Sequence, residues 1–212
     1  MPSCWSWPRI RQQARRFVEQ ELGAPIDRLF AEWEEQPVAS ASIGQVHRAV
    51  LKTDEGPKDV VVKVQRPTVA ARVRADLRVM SWIAPLLVGR IPIAALANPP
   101  ALLELFAETI TEELDFRLEA ENMVEVGRSF AALDQRGYVV PRPHPELVTQ
   151  RVLVMERLSG FAFDDVVGMQ GAGIDTEAVV RTGMIGFLEG AMINGIFHGD
   201  LHGGNLLVLA DG

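Results

Sequence analysis

The stretch from Phe197 to Leu207, FHGDLHGGNLL, constrains this chain more than any other part of its sequence. Asp200 and Asn205 stand five apart, and His198 precedes Asp200 by two. Gly199 and Gly203-Gly204 let the backbone turn tightly. The spacing suits phosphoryl transfer. A carboxylate meets the hydroxyl that attacks a γ-phosphate, and an amide oxygen one loop-turn later holds a magnesium ion. His198 and His202 are also four apart, but a glycine-rich loop is not a helix and no third ligand is obvious, so they are not read as a zinc site.

A fold able to present such a loop needs a core, and 212 residues suffice for one domain or two small lobes. Apolar residues make up 48% and charged residues 23% of the chain, as in soluble globular proteins. The net charge of −7 argues against broad nucleic-acid binding, which needs a basic surface. The single cysteine, Cys4, cannot form an internal disulfide and fits a reducing compartment. The first eight residues lack a basic start followed by an apolar run, so no secretory signal is expected there. Residues 79–89 and 91–97 are apolar, but Arg90 splits them and Pro85 and Pro92 interrupt them. Each falls short of the roughly 20 residues a bilayer-spanning helix needs. They are read as a buried or interfacial helix pair. The expected location is cytoplasmic, with peripheral contact at a membrane as a variant.

Periodicity outlines the elements. Ile10, Ala14, Phe17, Val18 and Leu22 repeat at helical spacing over 9–22, and a short helix is expected over 26–33. Residues 45–51 and 58–64 read as a hairpin around the turn-rich TDEGP of 53–57. Lys63 lies within its second strand. Residues 68–84 read as helix. Asn98-Pro99-Pro100 opens another helix to about 127, with Leu103, Phe106, Ile110, Leu114 and Leu118 as its buried stripe. Glu112, Asp115 and Glu119 would share one face of that helix. Short strands are expected at 138–140 and 150–155, a connector at 156–160 and a loop from Gly168 to Gly173. Residues 175–194 read as a helix that is apolar nearly all round and therefore expects burial on several sides.

This order, strands and a helix, a connector, then helix and loop, matches small lobe, hinge and large lobe of a protein kinase. Asp200 and Asn205 have the spacing of the kinase catalytic loop. Lys63, between Val62 and Val64, sits where an ammonium would hold the α- and β-phosphates and pair with a helix carboxylate. Read alone it is a solvated lysine on an edge strand; the downstream loop reverses that reading. Glu119 is the candidate partner, with Glu112, Glu113 and Asp115 as competitors. The segment Val38-Ala39-Ser40-Ala41-Ser42-Ile43-Gly44-Gln45 occupies the place of a glycine-rich phosphate loop. Its small side chains permit close backbone approach, and its methyl groups would narrow the pocket.

Taken together, five segments in order resemble the UbiB/AarF atypical kinase family, kinase-like proteins tied to isoprenoid quinone (ubiquinone) metabolism. They are ELGAPIDRLFAEWEEQPVASASIGQVHRA at 21–49, VVVKVQRP at 60–67, EELDFRLEAEN at 112–122, RVLVMERLSG at 151–160 and HGDLHGGNLLV at 198–208. The resemblance implies an α+β, protein-kinase-like bilobal fold with a complete small lobe and a partial, mostly helical large lobe. Its divisions would be a helical segment at 1–36, the small lobe with a helical insert at 37–157, and the partial large lobe at 158–212. It implies ATP and Mg2+ as cofactors. Ala39, Ser40, Ala41, Ser42, Ile43, Gly44 and Gln45 resemble the family's alanine-rich loop. Lys63 and Glu119 resemble the nucleotide lysine and its partner, and Glu113 with Asp115 the E-x-D motif. Met155 and Glu156 resemble the start of the adenine-facing hinge, Asp200 the catalytic aspartate and Asn205 a metal ligand.

Two family features have no match in these residues. No K-x-G-Q occurs, since Ile43-Gly44-Gln45 belongs to the alanine-rich loop, and no D-F-G supplies the main metal aspartate. The chain is therefore expected to be truncated at both ends. The function expected is an ATPase or a small-molecule or lipid phosphotransferase. The alternatives are a phosphotransferase of the aminoglycoside or choline kinase kind, and a non-catalytic pseudokinase or binding module. Partners expected are nucleotide, a quinone-pathway lipid or membrane surface, and a protein covering helix 175–194, with no nucleic acid.

Overall fold

The computed structural model describes residues 7–40, 43–87, 98–195 and 206–210. The chain divides into two compact units, Met1–Ala120 with His144–Val154, and Glu121–Pro143 with Met155–Gly212.

The first unit begins with helix α1 (Trp7–Leu22) and a single turn, α2 (Ile26–Leu29). Strands β1 (Phe30–Trp33), β2 (Ala39–Ser40), β3 (Gly44–Thr53) and β4 (Gly56–Gln65) follow. After them come α3 (Val69–Leu87), α4 (Pro99–Glu113) and α5 (Phe116–Ala132), whose residues 116–120 belong to this unit. Strands β5 (Pro143–Val148) and β6 (Val152–Glu156) complete a sheet of order β1-β3-β4-β6-β5, with β2 paired on β3.

The β3–β4 hairpin is the frame. Its strands pair antiparallel from Gly44↔Gln65 to Thr53↔Gly56. Gly56 takes φ +114, a region L side chains rarely adopt, which is why the turn closes on a glycine. Strand alternation sends Val60, Val62 and Val64 into the core with Ala49 and Leu51, while Lys63 and Gln65 lie on the opposite face. Phe17 and Val18 of α1, Ile26, Phe30, Val152 and Val154 close this core. Glu19 ties α1 to α2 by accepting the Ile26 N–H at 3.1 Å.

Several expectations are corrected. The helix expected over 26–33 is one turn followed by a strand, because 30–33 satisfies backbone groups along β3, with Trp33 opposite Ala49. The long helix expected from 98 to about 127 breaks at Leu114-Asp115, although neither glycine nor proline stands there. Gln65 Nε2 takes the Leu114 carbonyl at 3.0 Å, and the Phe116 N–H goes to Gln150 O at 3.1 Å. Asp115 then caps the next helix by accepting the Arg117 N–H at 3.0 Å. The expected stripe splits accordingly: Leu114 is buried, but Phe106 and Leu118 are exposed. Glu112, Asp115 and Glu119 do not share one continuous helix. Residues 79–87 belong to α3 and are not buried as a stripe: Val79, Met80, Trp82, Ile83 and Leu86 are exposed. The rest of that apolar run, 88–97, lies outside the described residues.

In the second unit, β7 (Gly160–Ala162) pairs antiparallel with β8 (Leu207–Leu209). Helix α6 (Val166–Gly171) stands where a loop was expected, started by Asp165, whose side chain accepts the Gly168 N–H at 2.9 Å. Helix α7 (Thr176–Glu189) is capped by Asp175 and passes into a π-helix, Gly190–Asn194. Residues 138–140 do not form a strand. Tyr138 instead lies against α7, where its hydroxyl donates to Gly183 O and its ring occupies the space a Cβ at Gly186 would need. The apolar helix is left largely uncovered among the described residues: Val180, Met184, Ile185, Phe187, Leu188, Met192 and Ile193 are exposed.

Candidate functional site

Lys63 and Glu119 meet within the first unit. Strand β4 aims the lysine away from the core, and the first turn of α5 brings the carboxylate over it. Lys63 Nζ donates to Glu119 Oε1 at 2.8 Å and to Oε2 at 2.7 Å. The side chains are 21% and 36% exposed, so the pair is neither solvated freely nor sealed off. The Phe116 ring, fully buried one turn before Glu119, lies 4.8 Å from the ammonium by its centroid. A cation so placed over an aromatic face gains about 0.5–1 kcal/mol at a partly exposed site.

The small-residue loop enters the same sheet. Ala39 is opposite Val46, and Val46 is opposite Lys63. Directly opposed residues share a face, so Ala39, Val46 and Lys63 form a row across three strands. Ser40 pairs with Gln45 on the other face, and both Ala39 and Ser40 are exposed. Ile43 O accepts the Arg66 N–H at 2.9 Å, which anchors the return of the loop beside the end of β4. Gly44 is buried there, and a Cβ on it would stand 2.8 Å from Val64 O. Ala41 and Ser42 lie outside the described residues.

The remaining sequence candidates are distributed differently. Glu113 is the exposed last residue of α4. Asp115 does not approach as a free acid. Besides capping α5, it forms a two-point pair with Arg117, Nε to Oδ1 at 2.9 Å and NH2 to Oδ2 at 2.6 Å. Those hydrogen bonds hold its carboxyl below the ordinary aspartate range. Met155 and Glu156 are the last residues of β6, and the Glu156 N–H donates to Arg142 O at 2.8 Å. Asp200 and Asn205, with His198 and His202, lie outside the described residues. Among the described residues no group of three His, Cys, Asp or Glu side chains could hold a metal ion. Nor, among them, is any helix long and apolar enough to cross a membrane.

Two residues that sequence reasoning passed over stand beside the pair, Phe116 and Gln65. Gln65 carried a signal. It follows Lys63 by two on one strand, and therefore shares its face.

A sheet with a strand lysine bound to a helix carboxylate, and a small-residue loop in line with that lysine, is a kinase-like arrangement. Comparison with known proteins agrees. The family model described as ABC1 atypical kinase-like domain matches residues 7–212, and the chain belongs to that family. An uncharacterized protein of Mycobacterium tuberculosis (strain ATCC 25618 / H37Rv), Rv0647c, is 39% identical over 205 residues, covering 95% of this chain and 41% of that protein. A "Probable protein kinase UbiB" of Shewanella baltica (strain OS185) is 37% identical over 198 residues, covering 93% of this chain and 35% of its own length. A solved structure of Mycobacterium tuberculosis Rv3197 in complex with erythromycin superposes with a TM-score of 0.70 at 30% identity, covering 95% of this chain and 49% of that one. The chain thus spans less than half the length of these relatives. The mixed α/β fold with its antiparallel sheet is a partial kinase-like fold.

Proposed function

We propose that this chain binds ATP and belongs to an atypical kinase-like protein acting as an ATPase or as a small-molecule or lipid phosphotransferase. The observation that carries this reading is the two-point bond between Lys63 and Glu119. An ammonium has three donors. Two are directed at the carboxylate, which fixes the lysine and leaves its third N–H for a phosphate oxygen. Residues 39–45, in line with Lys63 through Ala39, would cover the phosphates with backbone N–H groups. Met155 and Glu156 would meet adenine. Asp200 would orient the attacking hydroxyl and accept its proton. Asn205 would hold Mg2+, whose charge would offset that developing on the phosphoryl oxygens. Glu113 and Asp115 would shape the same site from the corner between α4 and α5.

The resemblance to UbiB proteins supports an acceptor or effector in isoprenoid quinone metabolism, and a lipid or membrane surface as partner, reached from the cytoplasm. The test is nucleotide binding by calorimetry with and without magnesium, followed by turnover. Magnesium-dependent ATP binding lost in Lys63→Met, and turnover lost in Asp200→Asn, are the expected results. Equal ATP binding by the wild type and Lys63→Met would sink the reading. Binding without turnover would favour the non-catalytic alternative.

A further inference from the structure

We infer that Gln65 is a positioning residue, which sets the Lys63–Glu119 pair by bolting the corner between α4 and α5 to the end of β4. The inference deepens the nucleotide-site reading and rests on it.

Gln65 is 2% exposed, one of the few polar side chains buried among the described residues. Its Nε2 donates to Leu114 O at 3.0 Å, across 49 residues of sequence. Its backbone N–H donates to Arg151 O at 2.9 Å, and the neighbouring Gln150 O accepts the Phe116 N–H at 3.1 Å. Both sides of the corner, Leu114 and Phe116, are therefore tied to β4 and to the turn before β6. Leu114 caps the end of α4, and its carbonyl is one that the helix itself leaves unmatched. Any polar group could satisfy that carbonyl. What singles out Gln65 is its place two residues after Lys63 on the same strand face. One face of β4 thus holds the start of α5 at two points, through Gln65 at the corner and through Lys63 at Glu119. Phe116, between them in sequence, is wholly buried under the ammonium. If the corner moves, Glu119 moves with it.

The test uses the whole 212-residue chain. Gln65→Met keeps the volume and removes the donor, leaving a buried carbonyl unmatched. Hydrogen–deuterium exchange of residues 116–120 is expected to accelerate about tenfold, while 60–64 keep their protection. ATP binding is expected to weaken about tenfold in an otherwise wild-type chain and not to change further in a Glu119→Gln background. Where Gln65→Met does not fold, Gln65→Asn keeps the amide one methylene short of Leu114 O and should give a smaller change of the same kind. Unchanged exchange at 116–120 overturns the inference. So does an equal loss of ATP affinity with and without Glu119, the mark of a merely structural glutamine. If the wild-type chain binds no ATP, the nucleotide reading fails, and the exchange measurement alone decides whether Gln65 sets the corner.

Discussion

At the scale of single residues, Lys63 and Glu119 should affect binding far more than folding. Both are partly exposed, and ion pairs in such places contribute about 0–1 kcal/mol to stability. Lys63→Met and Glu119→Gln are therefore expected to melt within a few degrees of the wild type. Both should lose ATP affinity, the lysine variant more, because it removes the phosphate contact itself. A collapse in melting temperature that tracks the affinity loss would show the pair to be mainly structural. His47 makes the opposite case. It is fully buried on the core face of β3, stacked on Trp33 at 4.9 Å, with Nδ1 bonded to Glu34 O at 3.0 Å. Desolvation pushes its pKa below the ordinary 6.5, against weaker raising effects from the Glu34 carbonyl and the Glu35 charge. The unfolded chain then binds a proton that the folded chain refuses. Stability should fall as pH drops below about 6.5, level off below the depressed folded value, and be flat above 6.5 as far as this group is concerned. Comparing urea midpoints at pH 7.5 and 5.5, the drop should be smaller in His47→Gln than in the wild type; equal drops would assign the acid sensitivity to other groups.

At the scale of elements, the loop and the corner separate what sequence discloses from what it hides. The hairpin was legible because alternation, a glycine turn and a valine-rich strand all favour the same state in 44–65. The pairing of Lys63 with Glu119, 56 residues apart, was legible only as a choice among four acids. What settles the choice is the break at Leu114-Asp115, and nothing local to those residues announces it. It depends on Gln65 and Gln150, both distant in sequence, so helical periodicity ran through it undisturbed. The same holds at 30–33, where pairing with β3 overrides a helical reading. Asp115 was legible as an acid of a motif but not as a helix cap bound to Arg117. The loop 38–45 gives a paired prediction. Ala39 is exposed, so Ala39→Gly should cost about 1 kcal/mol or less while loosening the row that ends at Lys63. Gly44→Ala would drive a Cβ toward the Val64 carbonyl, a backbone atom that cannot swing aside, and should cost about 1–3 kcal/mol. ATP affinity is expected to shift in both, with lowered thermal stability only in Gly44→Ala. Unchanged affinity for ATP and ADP in Ala39→Gly would remove the loop from the site.

At the scale of the whole molecule, what stands out is how much apolar side chain faces water in each unit. In the first unit, α3 and α4 lie together and line an apolar groove with Met80, Ile83, Ala84, Leu102, Leu103 and Phe106; of these Met80, Ile83, Leu102 and Phe106 are themselves exposed, Trp82 is 71% exposed and Leu105 faces solvent. In the second, α7 and the π-helix expose Met184, Leu188 and Ile193, with Met192 at 82%. Keeping one such side chain in water forfeits about 1.5–3 kcal/mol relative to burying it. Several together rival the net stability of a domain, about 5–15 kcal/mol. Apolar patches of this kind drive association. The 212-residue chain on its own is therefore expected to bind a hydrophobic dye, to elute as a concentration-dependent mixture of sizes, and to adsorb to lipid vesicles or partner proteins. Met184→Glu with Leu188→Lys should reduce the self-association, because both side chains are exposed already and their replacement removes no buried contact. Nucleotide binding should be unaffected, since neither position belongs to the residues proposed to hold ATP. Light scattering over a hundredfold range of concentration decides the matter. A wild-type chain that stays monomeric throughout and leaves the dye dark would mean that these faces are tolerated by water and that their exposed area does not drive association.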